Sequence, residues 1–214
     1  MLKPLLCCAL VAASAMPGVS QAGPAERNAS RLSTRMAVPA KFLVPGTGYE
    51  IAFRTPESKP VSRPPSDALL KALAVWLANN FDLPRNASSP AIELVSPVKI
   101  ATFRYMGFLS DKPQDTASIP PGQRQVVAAY DADTGTVYLS EGWTGNTPAE
   151  ISVLVHEMVH HLQYVAGTRF ECPQAREELA YAAQQKWLSL FGRNLTTDFD
   201  IDGFTLLVST RCAY

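Results

Sequence analysis

The chain has 214 residues, 47% of them hydrophobic and 18% charged, with 17 Pro and 12 Gly, so it can bury a sizeable core and is not compositionally disordered. Lys plus Arg equals Asp plus Glu at 19 each, which gives no charge-based reason to expect a nucleic-acid surface or a polybasic membrane anchor. The partner has to be read from motifs.

Lys3, the apolar run Leu5 to Met16 and the small residues around Ser20-Gln21-Ala22 have the form of an export signal, too short to span a bilayer. The mature chain is expected to start at Gly23, to carry no integral membrane segment, and to reside in the periplasm or outside the cell. Cys7 and Cys8 would leave with residues 1–22, and Cys172 and Cys212 would remain. An even pair in an oxidising compartment predicts one disulfide.

Residues 23–65 read as a Pro-rich arm and linker. Only Tyr49 to Phe53 alternates like a strand; the rest is expected to be loosely held, with Pro56, Pro60, Pro64 and Pro65 as punctuation. Residues 66–214 form the expected main folded domain. Ser66-Asp67 can cap a helix whose Leu69, Leu70, Leu73, Trp76 and Leu77 follow helical spacing up to Phe81. Ala91 to Val95 reads as a short strand, and Ser96-Pro97 can open a helix to Met106, although Val98 to Phe103 also suits a strand. Residues 109–124 read as a loop. Gln125 to Tyr130 and Thr136 to Ser140 should form a hairpin through Asp131 to Gly135.

Thr147-Pro148-Ala149-Glu150 is a capping box with Pro at the first helical position, predicting a helix through Ile151 to Ala166 that Gly167 ends. A further helix fits Pro173 to Phe191, ended by Gly192. Trp76 and Trp187 fall on apolar helix positions and belong to the core; Trp143 is better explained by closing a loop over the core than by lining a cleft. Asn28, Asn86 and Asn194 begin glycosylation sequons. Asp198, Asp200 and Asp202 lack the distal bidentate Glu of a calcium loop and read as a polar loop.

All 3 His lie in His156-Glu157-Met158-Val159-His160-His161. At about 100° per residue, His156 and His160 point ~40° apart and one turn from each other, so both imidazoles can share a metal. Glu157 lies ~60° beyond His160, where it can hold a water without ligating the metal. This is the HExxH pattern of zinc hydrolases. Two His leave zinc short of ligands, and the next helix offers Glu177 and Glu178. Glu177 falls ~70° from the centre of that helix's apolar arc and Glu178 almost opposite it. A carboxylate at the buried border needs a partner, which a metal or an Arg can provide. Glu177 is therefore the expected third ligand to one zinc ion, with Glu178 as the fallback.

HExxH followed by a glutamate 17 positions after the second His, opening the Glu-x-x-Ala stretch of Glu177 and Ala180, resembles the gluzincin class of zinc metallopeptidases. The string His156 to Gln163 with Cys172, Glu177, Tyr181, Gln184 and Trp187 is also similar to a secreted bacterial family of unknown function. The resemblance covers roughly residues 125–191. It implies an α+β, zincin-like fold: a small β-hairpin or sheet packed on the HExxH helix and the following Glu-bearing helix. In that arrangement a sheet edge pairs with an extended peptide or protein substrate, and Thr136 to Ser140 is the expected edge strand. It also implies metal-assisted hydrolysis in which Glu157 accepts the proton of the attacking water and passes it to the leaving amine. Tyr181 is the first candidate for the oxyanion donor, with Tyr164 and His161 behind it. His161, four residues after Glu157, can contact that carboxylate. The competing expectation is a non-catalytic exported module, binding or envelope-associated, whose zinc holds two helices together.

Overall fold

A computed structural model describes residues 38–54, 61–100 and 128–212. The export signal, the continuation of the helix expected up to Met106, and the loop at 109–124 lie outside the described residues.

The first helix, α1 (Asp67–Asn80), starts where Ser66 accepts from the Leu69 amide, and its buried face carries Leu69, Leu70, Leu73, Trp76 and Leu77. Residues 97–100 are helical, with Ser96 Oγ accepting from the Lys99 amide at 3.3 Å, so the Ser96-Pro97 start is present. The hairpin pairs β4 (Ala128–Asp131) with β5 (Thr136–Ser140). Downstream come α2 (Pro148–Val165), a 3-10 turn (Pro173–Arg176), α3 (Glu177–Ser189), α4 (Leu195–Phe199) and α5 (Gly203–Thr210). The architecture is mixed α and β. Among the described residues no helix is long and apolar enough to cross a membrane.

Two expectations are corrected. Residues 38–54 are not a loose arm: β1 (Lys41–Leu43) pairs antiparallel with β2 (Glu50–Ala52). The hairpin is held because it supplies aromatic surface. Phe42 packs 4.5 Å from Phe191 and 5.8 Å from Trp187, ring centroid to centroid, and Val44, Ile51 and Phe53 are buried in the same core as the helices. Its turn needs Gly46, with φ of 74°, where an added Cβ would meet Asn79 Nδ2 at 2.8 Å.

The second correction concerns the sheet edge. Strand β3 (Ala91–Val95) pairs parallel with β5, giving the order β3-β5-β4. Thr136–Ser140 is therefore the central strand, with both its hydrogen-bonding sides occupied. Its burial follows: Thr136, Val137, Tyr138 and Leu139 are all buried. Among the described residues the edges are β3 and β4, and β4 is the edge that packs against α2.

The core lies between the sheet, α1, α2 and α3. Its centre is an edge-to-face pair, Trp76 and Trp187, with centroids 5.4 Å apart. Trp143 is also buried in the core, and its indole N–H donates to the Glu150 carbonyl at 3.1 Å. The three late aspartates have local duties: Asp198 binds Arg193 at 2.5 and 2.7 Å, Asp202 caps α5, and Asp200 ends α4 in the left-handed region.

Candidate metal centre

Helix α2 begins with a complete capping box. Thr147 accepts from the Glu150 amide while the Glu150 carboxylate receives the amides of Thr144, Asn146 and Thr147. Every residue from Ile151 to Gln163 is buried, which is possible because α1, α3, β4 and β5 all pack on this helix. Ser152, His156, His160 and His161 on it each find a protein partner.

Helix α3 brings the carboxylate. The 3-10 turn leads into Glu177 as the first residue of α3, and just before that turn Cys172 is joined to Cys212 in a disulfide with Cα atoms 5.8 Å apart. Glu177 is 3% exposed, whereas Glu178 is exposed to solvent. The phasing that favoured Glu177 thus matches the burial.

His156 Nε2 and His160 Nε2 are 3.2 Å apart, and Glu177 Oε2 lies 3.2 Å from the first and 3.4 Å from the second. A tetrahedral metal with ligands at about 2.0–2.1 Å places its ligand atoms roughly 3.3 Å from one another. The triangle has the size of one face of that tetrahedron. Two imidazoles and one carboxylate are also a donor set suited to zinc or another borderline divalent metal. The buried group could hold a metal ion.

Electrostatics describe the same site without a cation. Burial works against a charged His160, but the Glu177 carboxylate beside it outweighs burial and raises its pKa above the usual imidazole value. Burial likewise opposes an ionised Glu177, and the attraction of His160, joined by hydrogen bonds from both imidazoles, holds its pKa well below the carboxylate range. Glu177 Oε1 takes a further bond from Arg176 Nε at 3.2 Å, so the arginine partner foreseen as the competing explanation is present on the other oxygen.

Residues 62–214 match the family described as a domain of unknown function, DUF6647. The chain belongs to that family. No curated protein and no solved structure matches it.

In this DUF6647 chain Glu157 is 4% exposed, and the described residues offer its carboxylate no hydrogen bond. Tyr181 packs edge-to-face on His156, with centroids 4.7 Å apart. The ring nitrogens of His161 hydrogen-bond elsewhere than to Glu157. Nε2 donates to the Ser88 carbonyl at 2.7 Å, and Nδ1 is 3.2 Å from the Tyr130 hydroxyl. A carbonyl can only accept, so Nε2 carries a hydrogen, and Nδ1 is engaged with the Tyr130 hydroxyl. Both nitrogens are used, which removes His161 as an oxyanion donor and makes it a clamp between α2, β4 and the segment before β3. Tyr164 is 58% exposed, with its ring 6.3 Å from that of Tyr130.

Two site residues had no functional reading in the sequence. Gln184 Oε1 lies 3.2 Å from His156 Nδ1, and Gln163 Oε1 lies 3.2 Å from His160 Nδ1. The signal was available: Gln163 is three residues after His160, Gln184 is seven after Glu177, and both are amides on buried helix faces.

Proposed function

We propose that this chain is an exported zinc-dependent hydrolase that cleaves peptide (amide) bonds, with a zincin-like, gluzincin-type site of His156, His160 and Glu177. The observation that carries the reading is the 3.2, 3.2 and 3.4 Å triangle of buried ligand atoms with a second buried carboxylate, Glu157, next to it in the chain. The triangle supplies three protein ligands, the number that leaves a tetrahedral metal one position for chemistry and that distinguishes catalytic from structural zinc. The order of hairpin, motif helix and Glu-bearing helix supports the zincin-like reading. The Cys172–Cys212 bridge supports export, because such bonds persist in oxidising compartments.

A bound zinc would supply Lewis acidity toward the scissile carbonyl and the attacking water. Glu157 accepts the proton of that water and returns it to the leaving amine. Tyr181, packed on His156, is the donor we assign to the carbonyl oxygen as it gains charge. An extended substrate would lie along β4, the edge beside α2, in place of the central Thr136–Ser140.

The test is digestion of a peptide library by the purified mature protein, with and without chelator and zinc add-back. Chelator-sensitive cleavage that zinc restores is expected. Zinc binding with no cleavage across the library would move the assignment to a non-catalytic module whose metal joins two helices.

A further inference from the structure

We infer that Gln163 and Gln184 are positioning residues that fix both metal-facing histidines as Nδ1–H tautomers, through two hydrogen-bond chains whose direction is set by backbone carbonyls. The inference rests on the metal-site reading above and adds to it the groups that aim the ligand lone pairs.

The first chain starts at a carbonyl. Ser152 Oγ lies 2.7 Å from the Ala149 carbonyl oxygen and must donate its only hydrogen there. Ser152 is then an acceptor toward Gln184, whose Nε2 lies 3.3 Å away and donates. With its nitrogen committed, the Gln184 amide can present only Oε1 to His156 Nδ1, at 3.2 Å. Nδ1 must carry the hydrogen, and Nε2 is left with a lone pair facing Glu177 and His160.

The second chain is shorter and reaches the same result. Gln163 Nε2 donates to the Arg176 carbonyl at 3.1 Å, so Gln163 Oε1 faces His160 Nδ1 at 3.2 Å. His160 Nδ1 is again the protonated nitrogen and Nε2 the ligating one. Both glutamines are about 4% exposed and neither has water to fall back on. Reversing either amide would set two acceptors against each other at its far end, against Ser152 Oγ or the Arg176 carbonyl.

The two chains also cross between helices. Gln184 on α3 orients a histidine on α2, and Gln163 on α2 holds the carbonyl of Arg176, immediately before Glu177. The ligand carboxylate and the ligand imidazoles are therefore referenced to each other before a metal arrives. Because the acceptors are amides, orientation is achieved without adding charge to a pocket that already contains Glu157 and Glu177.

The experiment is zinc competition against a chromophoric chelator for Gln163→Met, Gln184→Met, Ser152→Ala and Gln184→Glu, with nitrogen-15 histidine NMR of the zinc-loaded wild type. The Met variants keep side-chain length but lose the acceptor, and each should weaken zinc binding by about 10–100-fold. Ser152→Ala should give a smaller loss in the same direction, and Gln184→Glu, which keeps an acceptor for His156 Nδ1 but sets its other oxygen against Ser152 Oγ, should recover part of the affinity that Gln184→Met loses. NMR should show Nε2 ligation and protonated Nδ1 at both rings. Folded Met variants that hold zinc like the wild type, or Nδ1 ligation in the spectrum, would overturn the inference while leaving the metal site standing. If a Met variant fails to fold, Ser152→Ala and the wild-type spectrum decide. A wild type that binds no zinc would instead overturn the metal-site reading, and this inference with it.

Discussion

Trp187 donates its indole N–H to the carbonyl of Pro148 at 3.1 Å, joining α3 to the first residue of α2, 39 positions earlier in the chain. Glu177, the first residue of α3, meets His156 at the middle of α2. The two helices are thus pinned at two places, once by a neutral hydrogen bond in the core and once by the ligand cluster. Trp187→Phe should cost about 2–3 kcal/mol, from lost volume at a fully buried site and a lost buried hydrogen bond. Denaturant melts of the metal-free protein would measure it, and a loss below half a unit would show that Trp187 only fills space.

Glu177→Gln should weaken zinc retention strongly, and Glu178→Gln should leave it near wild type, because the first is buried against both imidazoles and the second is exposed. Elemental analysis after dialysis, expected near one zinc per wild-type chain, gives the comparison. Equal losses in both variants would contradict the assignment of the third ligand.

Glu157→Gln should retain zinc and lose roughly 10²–10⁴-fold in hydrolysis, since the amide keeps the shape and cannot accept the proton. The substrate is a peptide that the wild type cleaves in the library digest. Undiminished turnover would remove Glu157 from the mechanism.

The stabilising effect of zinc should grow as pH rises. In the metal-free protein the raised pKa of His160 means that its contribution to stability is complete below the ordinary imidazole value of 6.5 and is lost as pH climbs through the raised value. The lowered pKa of Glu177 gives a contribution complete above the ordinary carboxylate value of 4.5 and lost as pH falls through the depressed one. The pair therefore supports the metal-free fold best in mild acid. At higher pH the buried carboxylate loses its protonated partner, and a divalent ion replaces it. The difference in Tm between zinc-loaded and metal-free protein should widen from pH 5.5 toward about pH 8. A difference that shrinks over that range would show that His160 is not the group exchanging a proton for the metal.

What the sequence made legible was the local chemistry. The capping box, the Gly ends of the helices, the Asp131–Gly135 hairpin and the rotation that separates Glu177 from Glu178 all depend on neighbours within a few residues, and all of these are present. What it concealed was long-range. Lys41–Leu43 is three residues with a single inward aromatic, and it becomes a strand only because Phe42 finds Trp187 and Phe191. Thr136–Ser140 looked like an edge because its pairing with Ala91–Val95 joins segments 45 positions apart in register. His161 sits one turn from Glu157 in sequence, yet its partners, Ser88 and Tyr130, come from 73 and 31 positions away. The roles of Gln163 and Gln184 are hidden for the same reason, because an amide's role depends on what lies at each of its ends.

The disulfide supplies the last prediction. Cys172 and Cys212 close a loop of 40 positions, which should contribute roughly 3–4 kcal/mol by restricting the unfolded chain. The bond also ties the C-terminal helix α5 to the turn that introduces Glu177. Since α5 has no fully buried residue and exposes Phe204 and Leu207, little apolar burial would hold it once the bridge is cut. Reduction should therefore release α5 first, and it should loosen zinc binding at Glu177 more than the Trp76–Trp187 core. Hydrogen exchange of the reduced and oxidised forms, with zinc retention measured in parallel, reads both effects. Mass spectrometry of the non-reduced, alkylated protein from its native compartment should find the linked peptide pair two hydrogens lighter than the free peptides. Two alkylated thiols in that sample would remove the bridge from the native molecule, and with it the main structural support for export.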